Sequence, residues 1–452
     1  MRSKPISPSL NQELPTEPLP AFPQGLSLRK NFTWTIFGNV VYSGCQWGML
    51  VILAKLGSPE MVGQFVLGLA VTAPIFMFSN LQLRAVQATD ARREYLFGHY
   101  LALRLTTIVM SLLIIGGITG LSSYHWDTKL VIMAVGLAKA FEALSDVFYG
   151  LFQQNERLDR IAISMIIKGP LSLATLGLVF YFTGSVFWCV LGLAVAWAMV
   201  LLGYDAYRGA QILAVSDNLR SIPPGGVRRR LVFKCPWEIA TLGHLAWLAF
   251  PLGFVMMVIS LKTNIPRYFI EHYLGERELG IFAAMAYFMM AGNQVVTALG
   301  HSASPRMAKY YAAGRKKALS TLLKKLMLLG CLLGLVGVFV ALWAGKEILT
   351  LIYRPEYAEQ AGVLAWLMVT ASIYYVGVFL GYGMTAARYF RIQAPLNAST
   401  LLLIIGASAL LIPRYGLLGA AWVACLVHTV EIPLKAWIMA HAFKNIPVNS
   451  SG

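Results

Sequence analysis

The chemistry open to this chain rests on ionisable side chains set inside long apolar runs. Between residues 129 and 153, Lys139, Glu142, Asp146, Tyr149 and Gln153 recur at steps of three and four, which puts them on one face of a helix. Ser260, Asn264, Arg267 and Glu271 make a second stripe, with Lys262 and Thr263 beside it and Pro266 within it. An ionised side chain at mid-bilayer costs about 2.5–3.5 kcal/mol on insertion scales, so it normally faces a partner or a watery cavity. Lys139 and Glu142 can neutralise one another while their helix packs, or they can line a cavity. Arg267 can pair with Glu271 one turn on, near the outer interface, or reach into a cavity. Pro266 removes a backbone donor and is expected to bend its helix, as cavity-lining helices tolerate.

Weaker polar faces accompany these stripes. Asn39, Ser43 and Gln46 fall in one apolar run; Asn80, Arg84 and Gln87 in the next; Lys168, Ser172 and Thr175 further on; and Asn293, Gln294, Thr297 and His301 in the second half. Interhelical hydrogen bonding accounts for each taken singly, and Arg84 and Lys168 can also snorkel to a membrane surface. Taken together, the deep charge without an evident partner is positive, which suits an anionic substrate. The five cysteines are scattered, with no Cys-x-x-Cys or Cys/His spacing. We therefore expect no catalytic residue, metal or cofactor.

The elements that must position these groups are membrane helices. The chain has 452 residues, of which 58% are hydrophobic and 13% charged, against about 25% charged in soluble domains. A helix needs roughly 20 apolar residues to cross the hydrocarbon. Twelve runs qualify: Phe32–Leu56, Glu60–Arg84, Phe97–Leu121, Lys129–Gln153, Arg160–Phe182, Ser185–Tyr207, Leu242–Tyr268, Leu279–Ala303, Ala318–Ala344, Glu359–Ala386, Arg391–Leu411 and Leu417–Ala442. Polar–apolar alternation is absent, which excludes a barrel. The expected fold is an all-α polytopic protein with two six-helix bundles around a central cavity.

The net charge of +17 raises the question of nucleic acid. Its location answers it. Basic clusters, such as Arg228–Arg230 and the group from Arg306 to Lys325, fall in alternate connections, as the positive-inside rule requires. Both termini are thus expected in the cytoplasm, with no nucleic-acid partner. Residues 1–30 read as a disordered Pro-rich tail, 31–208 as one bundle, 209–241 as a linker containing Pro223-Pro224-Gly225-Gly226, and 242–452 as the second bundle with a short tail.

Local similarity crosses that divide. Leu56-Gly57-Ser58-Pro59-Glu60 through Phe65 resembles Leu274-Gly275-Glu276 through Phe282, each at the turn from the first to the second span of its half. Tyr149-Gly150 before Arg157 echoes Tyr382-Gly383 before Arg388. Six spans per half would place the repeats in parallel, with a binding site between them. Gly330/Gly334 and Gly377/Gly381 have Gly-x-x-x-Gly spacing, which packing inside the bundle explains.

Asn264-Ile265-Pro266-Arg267-Tyr268-Phe269, followed by Leu274-Gly275 and Gly280-Ile281-Phe282-Ala283-Ala284, resembles the bacterial polysaccharide-biosynthesis flippases. So does Phe37-Gly38-Asn39 leading to Leu56-Gly57, Gly63, Leu83-Arg84 and Ala88-Thr89-Asp90-Ala91. That family lies within the multidrug/oligosaccharidyl-lipid/polysaccharide (MOP) exporter superfamily, and the resemblance runs from Asn31 to Phe443. It implies transfer of a polyprenyl-diphosphate-linked oligosaccharide across the bacterial inner membrane for O-antigen, capsule or exopolysaccharide assembly. The implied partners are membrane lipids and other polysaccharide-assembly membrane proteins. On this reading Arg267 and Lys262 contact the diphosphate, with Arg84 and Lys168 nearer the cytoplasmic side. Asn39, Gln46, Asn80, Tyr287, Asn293 and Tyr374 are candidates for the sugars, and Glu142 and Asp146 for ion or proton coupling.

Two other functions compete. A drug/cation antiporter of the same superfamily would favour acidic residues in the first span, which contains neither Asp nor Glu. A glycan polymerase or ligase needs carboxylates or a base at a solvated face. The outer connections are short; Glu347, Glu356 and Glu359 can form a small acidic rim there, but solvated surface charge is the favoured reading of them.

Overall fold

The computed structural model describes residues 28–90, 93–216, 235–389 and 392–444. The Pro-rich segment 1–27 and linker residues 217–234, with Pro223–Gly226 and Arg228–Arg230, lie outside these. All described elements are helices, with no strand among the described residues. The first half contains α1 (Leu28–Leu56), α2 (Pro59–Ser79), α3 (Leu83–Thr89), α4 (Phe97–Leu121), α5 (Trp126–Gln154), α6 (Leu158–Thr183), α7 (Val186–Val200) and α8 (Ala206–Ser216). A π-turn, Leu201–Asp205, joins α7 to α8. The second half contains α9 (Ile239–Leu274), α10 (Glu276–Ala312), α11 (Lys316–Ile352), the short α12 (Pro355–Ala358), α13 (Ala361–Ala386) and α14 (Gln393–Lys444).

Among the described residues, ten helical segments are long and apolar enough to cross a membrane. To these α5 must be added: it is 29 residues long, and only its polar stripe lowers its hydropathy. The 52 residues of α14 are two crossings, because the chain turns back at Gly416, whose φ of 59° suits glycine. Two contacts demonstrate the reversal. Gly419 packs on the backbone of Leu411, and Lys262 touches both Asn397 and Glu431. In a straight helix those last two residues would stand about 50 Å apart. Twelve crossings result, in two six-helix bundles, and an even number returns both termini to one end. We call this the terminal end and its opposite the far end.

Span boundaries follow local chemistry. The Ser58 side chain accepts from the Met61 amide, Pro59 opens α2, and Glu60 complements the exposed N–H groups of its first turn. The second span is shorter than its apolar run. It stops at Ser79, Leu81 and Gln82 take left-handed φ values of 50° and 49°, and α3 then resumes. Such a conformation costs roughly 1–2 kcal/mol per non-glycine residue, so tertiary contacts must hold it. Gly253 of α9 lies against the Phe78 carbonyl and Leu81, and the buried Arg104 of α4 donates to the Asn80 side chain. Asn80, Arg84 and Gln87 therefore flank a break and do not share one helical face. Conversely, α9 runs unbroken across Pro251 and Pro266.

In the first bundle α1 packs on α6, and α5 on α4 and α7; in the second, α13 packs on α10, α11 and α14. Lipid supplies no hydrophobic drive between helices, so close backbone approach matters. Gly334 lets α11 reach Ser372 of α13, and Gly330 meets Phe379, whereas Gly381 has no neighbour in contact. Between bundles, α2 lies along α9 and crosses α10, where Gly63 meets the Glu276 backbone and Gly280 the Pro59 backbone.

A polar seal surrounds that crossing at the far end. Lys55 Nζ donates to the carbonyls of Thr350 and Leu351 at 3.2 and 2.8 Å, and Arg354 returns a hydrogen bond to the Lys55 carbonyl at 3.1 Å. Arg277 joins Glu60 and Glu356, each at 3.5 Å. Trp47 donates to the Tyr353 hydroxyl, which donates to the Ala284 carbonyl. Farther from this seal, Gln294 of α10 donates to the Ser43 hydroxyl of α1 at 3.5 Å.

Candidate functional site

A cavity of about 210 Å³ opens among α1, α3, α5 and α6, in the half of the first bundle nearer the terminal end. Asn39 and Tyr42 line it from α1, Arg84 from α3, Glu142, Asp146 and Tyr149 from α5, and Lys168 from α6. The stripe on α5 is thus a cavity wall. Lys139 pairs with Glu142 at 2.6 Å, and the Tyr42 hydroxyl donates to the same carboxylate at 3.1 Å. Asp146 lies between Arg84 at 3.6 Å and Arg104 at 3.3 Å, and Arg104 is completely buried. Arg84 also donates to Gln153 and sits over the Tyr149 ring.

Lys168 is buried and donates to Ser145 Oγ at 2.9 Å and Tyr149 Oη at 3.2 Å, with Asp205 at 3.9 Å. Across this network Arg84, Arg104, Lys139 and Lys168 face Glu142, Asp146 and Asp205, which leaves one positive charge in excess.

Arg267 stands apart from this cavity. Its guanidinium donates to Asn264 Oδ1 at 3.0 Å, and Asn264 is itself anchored on the Ser260 carbonyl. Among the described residues no carboxylate lies within ion-pair distance of it, so the one-turn pair with Glu271 is not formed. It faces Tyr268 and Tyr287, and Tyr287 also faces Lys139 of the first bundle. Arg267 therefore sits at the junction of the bundles, about 10 Å along α9 from its far end.

Lys262 belongs to a third place. It meets Glu431 at 2.6 Å and Asn397 at 3.1 Å, and Glu431 also pairs with Lys435 at 3.0 Å and His428 at 3.5 Å. The Tyr374 ring lies against His428. Grouping Lys262 with Arg267 is accordingly a sequence neighbourhood that the helix face does not preserve. Gln46 adjoins Tyr42 but does not itself line the cavity, and among the described residues the buried side-chain oxygen of Asn293 has no partner. Breaking a buried ion pair from one side costs about 3–5 kcal/mol. Glu431→Ala should therefore cut thermal stability in detergent sharply, and adding Lys262→Met should restore part of it. Equal melting of Glu431→Ala and the unmodified protein would contradict this.

Sequence reasoning missed Arg104, Asp205, Glu431 and Lys435. Each is an ionisable residue within an apolar run, the criterion that found Arg267, and three of them complete pairs with residues that were singled out.

The chain matches the family described as polysaccharide biosynthesis protein over residues 28–311 and the MatE family over residues 251–414. It is 28% identical over 392 residues to a capsular polysaccharide biosynthesis protein, CapF, of Staphylococcus aureus, covering 87% of this chain and 94% of that one. The fold is similar to an inward-facing multidrug resistance MATE family transporter of the MOP superfamily, with a TM-score of 0.61 at 15% identity over 94% and 97% of the two chains. A MOP superfamily transporter from Pyrococcus furiosus, described by the reverse polarity of its binding pocket, gives 0.58 at 15% identity over 92% and 96%. The chain belongs to the polysaccharide biosynthesis protein family, within the MOP superfamily of membrane transporters.

Proposed function

We propose that this protein is a flippase that carries a polyprenyl-diphosphate-linked oligosaccharide from the cytoplasmic to the outer leaflet by alternating access. The observation that carries the reading is the unneutralised positive charge. The cavity network has one excess cation, and Arg267 supplies a second farther along the path. Together they equal the charge of a diphosphate diester, which carries one negative charge per phosphoryl group. Stripping water from those charges in hydrocarbon is prohibitive, so the protein must replace it with cations and donors.

Arg84 and Lys168 then form the first station for the diphosphate and Arg267 the second. On this reading Asn39, Gln46, Tyr287 and Asn293 meet sugar hydroxyls, while Asn80 is held by Arg104 and Tyr374 by His428. The terminal end faces the cytoplasm on this reading, since Arg306, Lys309, Arg315, Lys316, Lys317, Lys324 and Lys325 are all exposed there. The far seal fits a protein closed on the opposite side and waiting for substrate from the cytoplasm.

Deletion of the gene should accumulate lipid-linked oligosaccharide on the cytoplasmic leaflet, read by extraction and mass analysis. Purified protein in vesicles should move a fluorescent lipid-diphosphate glycan between leaflets. Export of cationic dyes with no change in lipid-linked intermediates would instead identify a drug antiporter.

A further inference from the structure

Behind the cavity wall lies a carboxylate that the positioning of cations does not explain. Asp205 closes the π-turn and is wholly buried; the hydroxyls of Ser145 and Ser164 face its carboxylate, yet among the described residues none makes a hydrogen bond of normal geometry to either oxygen. π-turns inside helices frequently mark functional positions. The groups facing it are Lys168 and Ser164 from α6, Ser145 and Tyr149 from α5, and Tyr204 on its own turn. Lys168 is the one cation among these, and it gives its hydrogen bonds to Ser145 and Tyr149. Glu142 and Asp146 differ. Glu142 accepts hydrogen bonds from Lys139 and Tyr42, and Asp146 is flanked by Arg84 and Arg104. Among the described residues Asp205 alone of the three receives no hydrogen bond from its counter-cation, and that cation also lines the cavity.

A diphosphate in the cavity attracts Lys168. If the ammonium turns to it, Asp205 is left buried with no compensating charge, and a carboxylate so placed is neutralised by a proton. We infer that Asp205 is a proton-binding site coupled to the substrate through Lys168. Lys168 keeps its own proton and moves to the diphosphate, while Asp205 takes one from water at the terminal end. When the diphosphate leaves, Lys168 returns and Asp205 releases the proton. The inference rests on the flippase reading and shifts proton coupling from Glu142 and Asp146 to the carboxylate behind them.

The test uses the purified full-length protein in detergent and a dialkyl diphosphate diester, a probe with no ionisation of its own near neutral pH. Calorimetric titration in buffers of different protonation enthalpy gives the protons taken up on binding. The unmodified protein should take up about one per probe bound, and Asp205→Asn should bind with none. In Lys168→Met the infrared band of a protonated carboxyl should be present before any probe is added, and be lost in Lys168→Met/Asp205→Asn. Probe binding without uptake by the unmodified protein, or uptake that persists in Asp205→Asn, overturns the inference and leaves the flippase reading standing. If Asp205→Asn does not fold, absence of the infrared band in Lys168→Met overturns it equally. Failure of the unmodified protein to bind the probe removes the flippase reading and this inference together.

Discussion

Arg267→Ala should lose lipid-linked glycan translocation by roughly tenfold or more while its level in the membrane holds. Charge-assisted hydrogen bonds contribute about 1.5–3 kcal/mol, and about 1.4 kcal/mol is a factor of ten. The accompanying stability is the discriminating part of this expectation. Removing one partner of a buried ion pair strands the other, as Glu431→Ala would strand Lys262 and Lys435. Arg267 has no carboxylate to strand; its described hydrogen bond goes to the neutral Asn264. Arg267→Ala should therefore melt near the unmodified protein yet transport poorly, and Arg267→Lys should recover part of the activity, because it restores charge without the planar fork. Full translocation by Arg267→Ala would remove this residue from the substrate path.

The second large effect concerns the far seal. Gly63 and Gly280 let α2 and α10 cross backbone against backbone, and a methyl at Gly63 would overlap the Glu276 carbonyl. A carbonyl within a helix cannot withdraw as a flexible side chain does. Gly63→Val should prevent closure at this end and stop the transport cycle, while each bundle keeps its own packing. The measurement is accessibility. A cysteine placed at the fully buried Ala284, beneath the seal, should react with a membrane-impermeant maleimide from the far side only when Gly63→Val is also present. Gly44→Val is the matched control, because no atom lies within contact of a side chain at that position. If Gly63→Val leaves both the labelling and the transport unchanged, the crossing is not a gate.

Much of the architecture was legible because crossing a bilayer is a local demand, met by length and apolarity within one segment. The span Phe97–Leu121 coincides with α4, and the reversal between the last two spans falls at Gly416 inside what is otherwise continuous helix. The break at Leu81 and Gln82 was not legible, since what holds it comes from Arg104 of one helix and Gly253 of the other bundle. The candidate site divides in the same way. The α5 stripe could be read from its period, because neighbours on a helix face are fixed by 3.6 residues per turn.

Which cations are neutralised could not be read, because charge pairing is settled across the bundle. Lys262 finds Glu431 169 positions away, and Lys168 finds Asp205 across the packing of α6 against α7. An impression of many deep unpaired cations becomes a sharper one of two small surpluses, one in the cavity network and one at Arg267.

The connections at the far end have a practical consequence. They consist of Gly57 and Ser58, residues 122–125, Gly184 and Ser185, Gly275, residues 353–360 around α12, and the single pivot Gly416. Proteases need several residues of extended backbone to bind, and this face offers almost none, so intact cells treated from that side should yield an uncut chain. The same flatness leaves an antibody little to grip. On the proposed flippase reading, anything that receives cargo there must meet it in the plane of the membrane, because the described connections of this end carry no projecting domain.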